Sequence, residues 1–175
     1  MMLRRLSLIA IALAALAVSG CGGSDGSSTS TSTTTSGPLS GKELRQAAND
    51  LCSTMVERLQ TEGTPPDLDP ETLTPERIRA TVPFWELSAD AGQDTLDQLD
   101  GLQPPQADAK DWSGFLKLYE KAMIDYQRAL ASAAGSGDKS TFFTAAFKGQ
   151  TVVREFDAAA AELGLDDCQT ASASG

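Results

Sequence analysis

The sequence predicts an all-α protein, an antiparallel four-helix bundle of up-down-up-down topology behind an N-terminal signal peptide and an unstructured linker. Three observations carry this. Apolar residues recur at spacings of three and four through four stretches, the signature of helices with one buried face. Gly- and Pro-bearing connections between them are short, which favours antiparallel neighbours. Two cysteines, Cys52 and Cys168, stand near the two ends of the folded region, and an even number of alternating helices brings those ends level.

The chain opens with Met1-Met2-Leu3-Arg4-Arg5, a positive start, and continues from Leu6 to Val18 with Leu, Ile and Ala broken only by Ser7. Such a start and apolar run belong to a signal peptide. The run is too short to span a bilayer, which takes roughly 20 apolar residues. Val18-Ser19-Gly20-Cys21 resembles the bacterial lipobox, in which the cysteine thiol receives a diacylglyceryl group and a peptidase cuts just before it. Cleavage is expected between Gly20 and Cys21, with Cys21 lipidated. Two acyl chains hold a protein on a membrane where one is marginal. The expected organisation is therefore 1–20 signal peptide, 21–39 lipidated cysteine and linker, 40–168 helical domain, and 169–175 frayed tail. Residues 22–37 are Gly, Ser and Thr with a single Asp25, unable to bury apolar surface. As a tether they reach roughly 20–25 Å.

Without Arg4 and Arg5 the mature chain carries 12 basic against 24 acidic residues, a net charge of about −12. That balance argues against nucleic acid as a partner and against docking of the whole surface on anionic lipid. There is no histidine, so the commonest general base and metal ligand is missing. With Cys21 assigned to lipid, Cys52 and Cys168 in an exported protein read as a disulfide. Two free thiols or a redox pair are the alternatives, but a redox pair usually comes as C-x-x-C.

Each helix has its own start and stop signals. Ser40 and Glu43 have the capping-box spacing, and Leu44, Ala48, Leu51, Cys52, Met55 and Leu59 follow on one face until Glu62-Gly63. A Pro-rich loop over 64–70 comes next. Thr74 as N-cap, Pro75 at the first helical position and a Leu73–Ile78 staple open the second helix, which Pro83 should kink or split. Beyond it Phe84, Leu87, Ala91, Leu96 and Leu99 form the apolar face, ending at Gly101. The third helix is expected from about Ala107 to Ala133 on a bulky stripe of Trp112, Phe115, Leu116, Tyr119, Met123, Tyr126 and Leu130, broken by Gly135-Ser136-Gly137. Asp138 can cap the fourth, which carries Phe142, Phe143, Ala146, Val152, Val153, Phe156, Ala159 and Leu163 up to Gly164.

Candidate sites are few. The Trp112, Tyr119, Tyr126 stripe reads as core before it reads as a pocket. Phe84-Trp85 after Pro83 cannot both face one core, so one of them is a candidate partner contact. Asp94, Asp97 and Asp100, the pair Asp166 and Asp167, and the Asp67-to-Glu71 loop lack the spacing of a calcium loop. No catalytic constellation, metal site or cofactor motif can be assembled, and the protein is expected not to be an enzyme.

The chain as a whole resembles the small secreted lipoproteins of high-GC Gram-positive bacteria. The resemblance rests on the Cys21 lipobox, the Ser/Thr/Gly linker, Ala47-Ala48-Asn49-Asp50-Leu51-Cys52, Leu99-Asp100-Gly101-Leu102-Gln103-Pro104-Pro105 and Ala161-to-Cys168. It implies a disulfide-closed helical domain held on the extracytoplasmic side of the cell membrane and supplies no catalytic residues. Two functions are compatible: a non-catalytic module that binds another envelope protein or a wall component, and a small-ligand carrier with a cavity between its helices.

Overall fold

The computed structural model describes residues 37–64 and 66–170. The signal peptide, the Gly20–Cys21 bond, Cys21 and nearly all of the linker lie outside the described residues, as do residues 171–175. Every regular element among the described residues is helical.

Helix α1 (Gly41–Glu62) begins on the expected capping box. Glu43 N–H donates to Ser40 Oγ at 3.3 Å, and Ser40 N–H donates to the Glu43 carboxylate at 2.8 Å. Hydrogen bonding to the carboxylate from the Ser40 side chain, and then from the Ser40 backbone N–H, holds the Glu43 carboxyl below its ordinary range. Leu44, Ala48, Cys52 and Met55 form the buried face, one residue per turn.

The Pro-rich loop is tied down at both ends of its course. Arg77 reaches back to Asp67 at 2.6 Å, and the Lys139 ammonium donates to the Pro70 carbonyl. Helix α2 (Pro75–Ala80) starts on Thr74, which accepts from Arg77 N–H, and Leu73 and Ile78 are buried in one cluster as a staple requires. Pro83 splits the second helical stretch. α2 stops at Ala80, and α3 (Val82–Asp100) restarts with Pro83 in its first turn, where a missing N–H costs nothing. Thr81 bridges the break, donating to the Ile78 carbonyl and accepting from Trp85 Nε1, both at 2.8 Å.

The third helical stretch departs from a plain α-helix. α4 (Ala109–Tyr119) passes into a π-helical turn, Glu120–Asp125, and then into α5 (Tyr126–Ser136). A π turn holds more than the α-helix's 3.6 residues, so the face that follows is rotated. The apolar stripe divides accordingly. Trp112, Phe115 and Tyr119 join one core cluster with Leu44, Cys52, Met55, Leu99 and Phe156. Leu130 and, at its edge, Tyr126 join a second with Leu73, Ile78 and Phe142. α3 meets the π turn closely at Gly92, where a Cβ would lie 2.7 Å from the Met123 carbonyl oxygen. Only glycine admits that approach.

The break falls within Gly135-Ser136-Gly137 as expected, at its last residue, and the helix runs three residues past Ala133. Gly135 and Ser136 stay helical, and the chain turns at Gly137, whose φ of 69° is left-handed. Asp138 then caps α6 (Lys139–Leu163) by accepting from Thr141 N–H at 2.7 Å. Gly164, with φ of 70°, closes it. A short 3-10 turn, Asp166–Cys168, brings Cys168 onto α1, where it is bonded to Cys52. Asn49 pins this return from both sides: its amide donates to the Gly164 carbonyl and its oxygen accepts from Asp167 N–H.

At the centre of the first cluster Tyr119 is fully buried, its hydroxyl 3.1 Å from Met55 Sδ. Burial pushes that hydroxyl well above the ordinary tyrosine range, and a weaker hydrogen bond with Thr95 works in the opposite direction. The neutral form is therefore the one the fold holds. Its contribution is intact below the unfolded tyrosine pKa of about 10 and is lost as pH rises beyond it. We expect the urea midpoint to fall between about pH 10 and pH 11.5, and Tyr119→Phe to flatten that fall; an equal fall in the variant would assign it to other groups.

Candidate functional site

The sequence-singled rings Phe84 and Trp85 sit at the start of α3 and are both half-buried. They meet edge to face, with ring centroids 5.1 Å apart. Trp85 leans on Phe142 of α6 at 6.3 Å, and Phe142 meets Phe143 at 5.8 Å. One helical turn beyond Phe143 stands Phe147, 73% exposed, the exposed large hydrophobic among the described residues. Phe84, Trp85, Phe142 and Phe143 thus form a continuous aromatic ribbon that reaches α6 with Phe142 as its buried member, and Phe147 stands one turn past its last ring. Sequence spacing did not single out Phe147: it lies one turn from Phe143 but about 140° around the helix from the buried Phe142, on the margin of the apolar stripe.

Beside Phe147 three surface grooves share walls. One, of about 580 Å³, lies between the π turn with α5 and α6, lined by Lys121, Asp125, Tyr126, Thr144, Lys148 and Gly149 among others. A second, of about 680 Å³, includes Phe143, Thr144, Phe147 and Lys148. A third, of about 400 Å³, runs past Tyr126 and Gln127 to Gln150 and Arg154. Thr144 and Lys148 belong to the first two, Gln150 to the last two, and Tyr126 to the first and third. Gly149 makes the junction possible. A Cβ there would lie 2.0 Å from the Tyr126 ring, which rests on the bare backbone and donates its hydroxyl to the Ala146 carbonyl at 3.1 Å.

The other sequence-stretch candidates are dispersed into structure. Trp112 and Tyr119 are core, stacked about Phe115 and Phe156. Asp94 pairs with Arg58 at 2.7 Å, and Asp97 accepts from Gln93. Among the described residues no group of three or more His, Cys, Asp or Glu is arranged to hold a metal ion. No described helix is long and apolar enough to cross a membrane.

What the fold and this surface define is an all-helical domain closed by a Cys52–Cys168 disulfide, with an aromatic, groove-bearing face along α6. Comparison with protein-family models, with curated proteins and with solved structures finds no match to this chain.

Proposed function

We propose that this protein is a non-catalytic module of the cell envelope, lipid-anchored through Cys21 on the extracytoplasmic side of the membrane, that binds another envelope protein or a wall component. Its helices are arranged as an antiparallel up-down-up-down bundle. Support for that arrangement comes from end-to-end contacts: Gly63 after α1 faces Phe84 and Leu87 at the start of α3, and Arg79 before α3 reaches Ser136 at the end of α5. The lipobox and the disulfide of an exported protein support the address.

The observation that carries the binding function is the 73% exposure of Phe147 next to the shared grooves. Phe147 does not stand singly, because Phe143 and Ala146 line the same groove, and contiguous apolar surface rimmed by polar residues marks an interaction site. The carrier function asks for an enclosed cavity between helices, whereas these grooves are walled by exposed residues such as Lys121, Ser140, Thr144 and Lys148. The partner surface accordingly shifts outward from Phe84 and Trp85 to the α6 end of the ribbon.

Two measurements in the native host test this. Cys21→Ala should release the protein into the medium, and its retention at the membrane would sink the anchor. A photo-crosslinking residue at position 147 should capture an envelope component on intact cells, whereas one at Lys42 should not.

A further inference from the structure

Charge is unevenly spread over the domain. α3 carries Glu86, Asp90, Asp94, Asp97 and Asp100 with no Lys or Arg, while α6 carries Lys139, Lys148 and Arg154 without an acid up to Arg154 and places Glu155, Asp157 and Glu162 beyond it. The three grooves lie on this basic side. Their charged walls are Lys121, Lys148 and Arg154 against Asp125 alone. None of these three cations is in an ion pair among the described residues. A chain whose net charge is −10 therefore keeps a locally positive track.

From these features we infer that the α6 track binds a slender polyanion of the envelope, a phosphate- or carboxylate-bearing chain of sugar or polyol units. This rests on the α6 face being the binding surface proposed above. Shape favours a strand: from Ser140 to Arg154 the shared grooves follow α6 for roughly 20 Å. Such a track, one helix wide, covers on the order of 200 Å², far below the roughly 800 Å² per partner of a stable protein interface. Chemistry favours the same occupant. Ser140, Thr141 and Thr144 offer hydroxyls, Lys121 and Lys148 offer charge, and Tyr126 and Phe147 offer ring surface for the C–H faces of a sugar.

A flat anionic membrane is a poorer fit. It would meet the acidic remainder of the domain as well as the track, because screening reaches only about 8 Å at physiological salt. A thin strand meets only the groove.

The test uses the full protein extracted from its host envelope in a neutral detergent, with fluorescein-labelled poly(glycerol phosphate) as probe and neutral dextran as control. Expected is saturable binding to the polyphosphate alone, weakening as salt is raised. Lys121→Gln with Lys148→Gln should weaken it about tenfold or more through lost charge-assisted hydrogen bonds. Lys42→Gln with Lys110→Gln removes the same charge elsewhere and should leave binding unchanged. The inference is overturned if wild type does not bind, if either pair of variants behaves like the other, or if detergent micelles doped with phosphatidylglycerol compete equally well per phosphate. Capture of a single protein by the crosslinker at position 147 would likewise overturn it. Release of the Cys21→Ala protein into the medium, or its failure to be released, leaves this measurement unaffected, so the two proposals fail separately.

Discussion

Reducing the Cys52–Cys168 bond should cost the domain about 4–5 kcal/mol and lower its melting temperature by roughly 15–20 °C. The bond spans 116 residues, so in the chain-entropy account it removes the closure entropy of a long loop from the unfolded chain. Both sulfurs are buried, Cys52 fully, so reduction requires prior opening of the Asp166–Cys168 turn. Thermal unfolding followed by circular dichroism, with and without reductant, reads the effect directly. Coincident curves would mean that the unfolded chain is already compact across this span. Replacing both cysteines by Ala should give the same loss and separates the bond from slow reduction.

The second large effect is expected at Phe156. Its ring is fully buried, stacked on Phe115 with centroids 5.6 Å apart and set edge to face against Tyr119 at 5.7 Å. Phe156→Ala removes the middle of this triad and should cost about 3–5 kcal/mol in urea unfolding, the usual range for a core aromatic. Phe156→Leu should retain more than half of that. A loss below about 1 kcal/mol for the Ala variant would mean that α4 and α6 close over the space. Phe156 shares its cluster with Cys52 and Cys168, so its loss and that of the disulfide should not simply add.

What could be read in advance was whatever depends on near neighbours in the chain. The Ser40–Glu43 box, Thr74 before Pro75, Asp138 as a cap and Gly164 as a left-handed stop are all hydrogen-bond chemistry within about four residues. Each falls where the spacing put it. Pro83 within a helical stretch demands a kink or a split, and here it splits the stretch into α2 and α3. The disulfide followed from a count of cysteines and a compartment. The π turn was not legible: it lies where the backbone of α3 passes at Gly92, and no period of apolar residues encodes that meeting. The end of α5 was legible to within three residues: the break lies in Gly135-Ser136-Gly137, but Gly135 is tolerated within the helix and only Gly137 adopts the left-handed turn. The candidate surface was half legible. Phe84 and Trp85 marked one end of the ribbon, but Phe147 lies off the stripe, and the grooves arise from Gly149 yielding space to Tyr126.

The position of the disulfide also decides what proteolysis can do to this domain. Cys52 lies in α1 and Cys168 after α6, so the loop following α1 and every later turn lie inside one covalent ring. A single cut anywhere in that ring opens a circle without producing a free fragment. The two new ends remain tethered to the same α1 scaffold and can reseat. In the extracytoplasmic setting proposed above, one nick is damage that leaves the molecule in place; only a second nick, or a reductant, lets a piece depart.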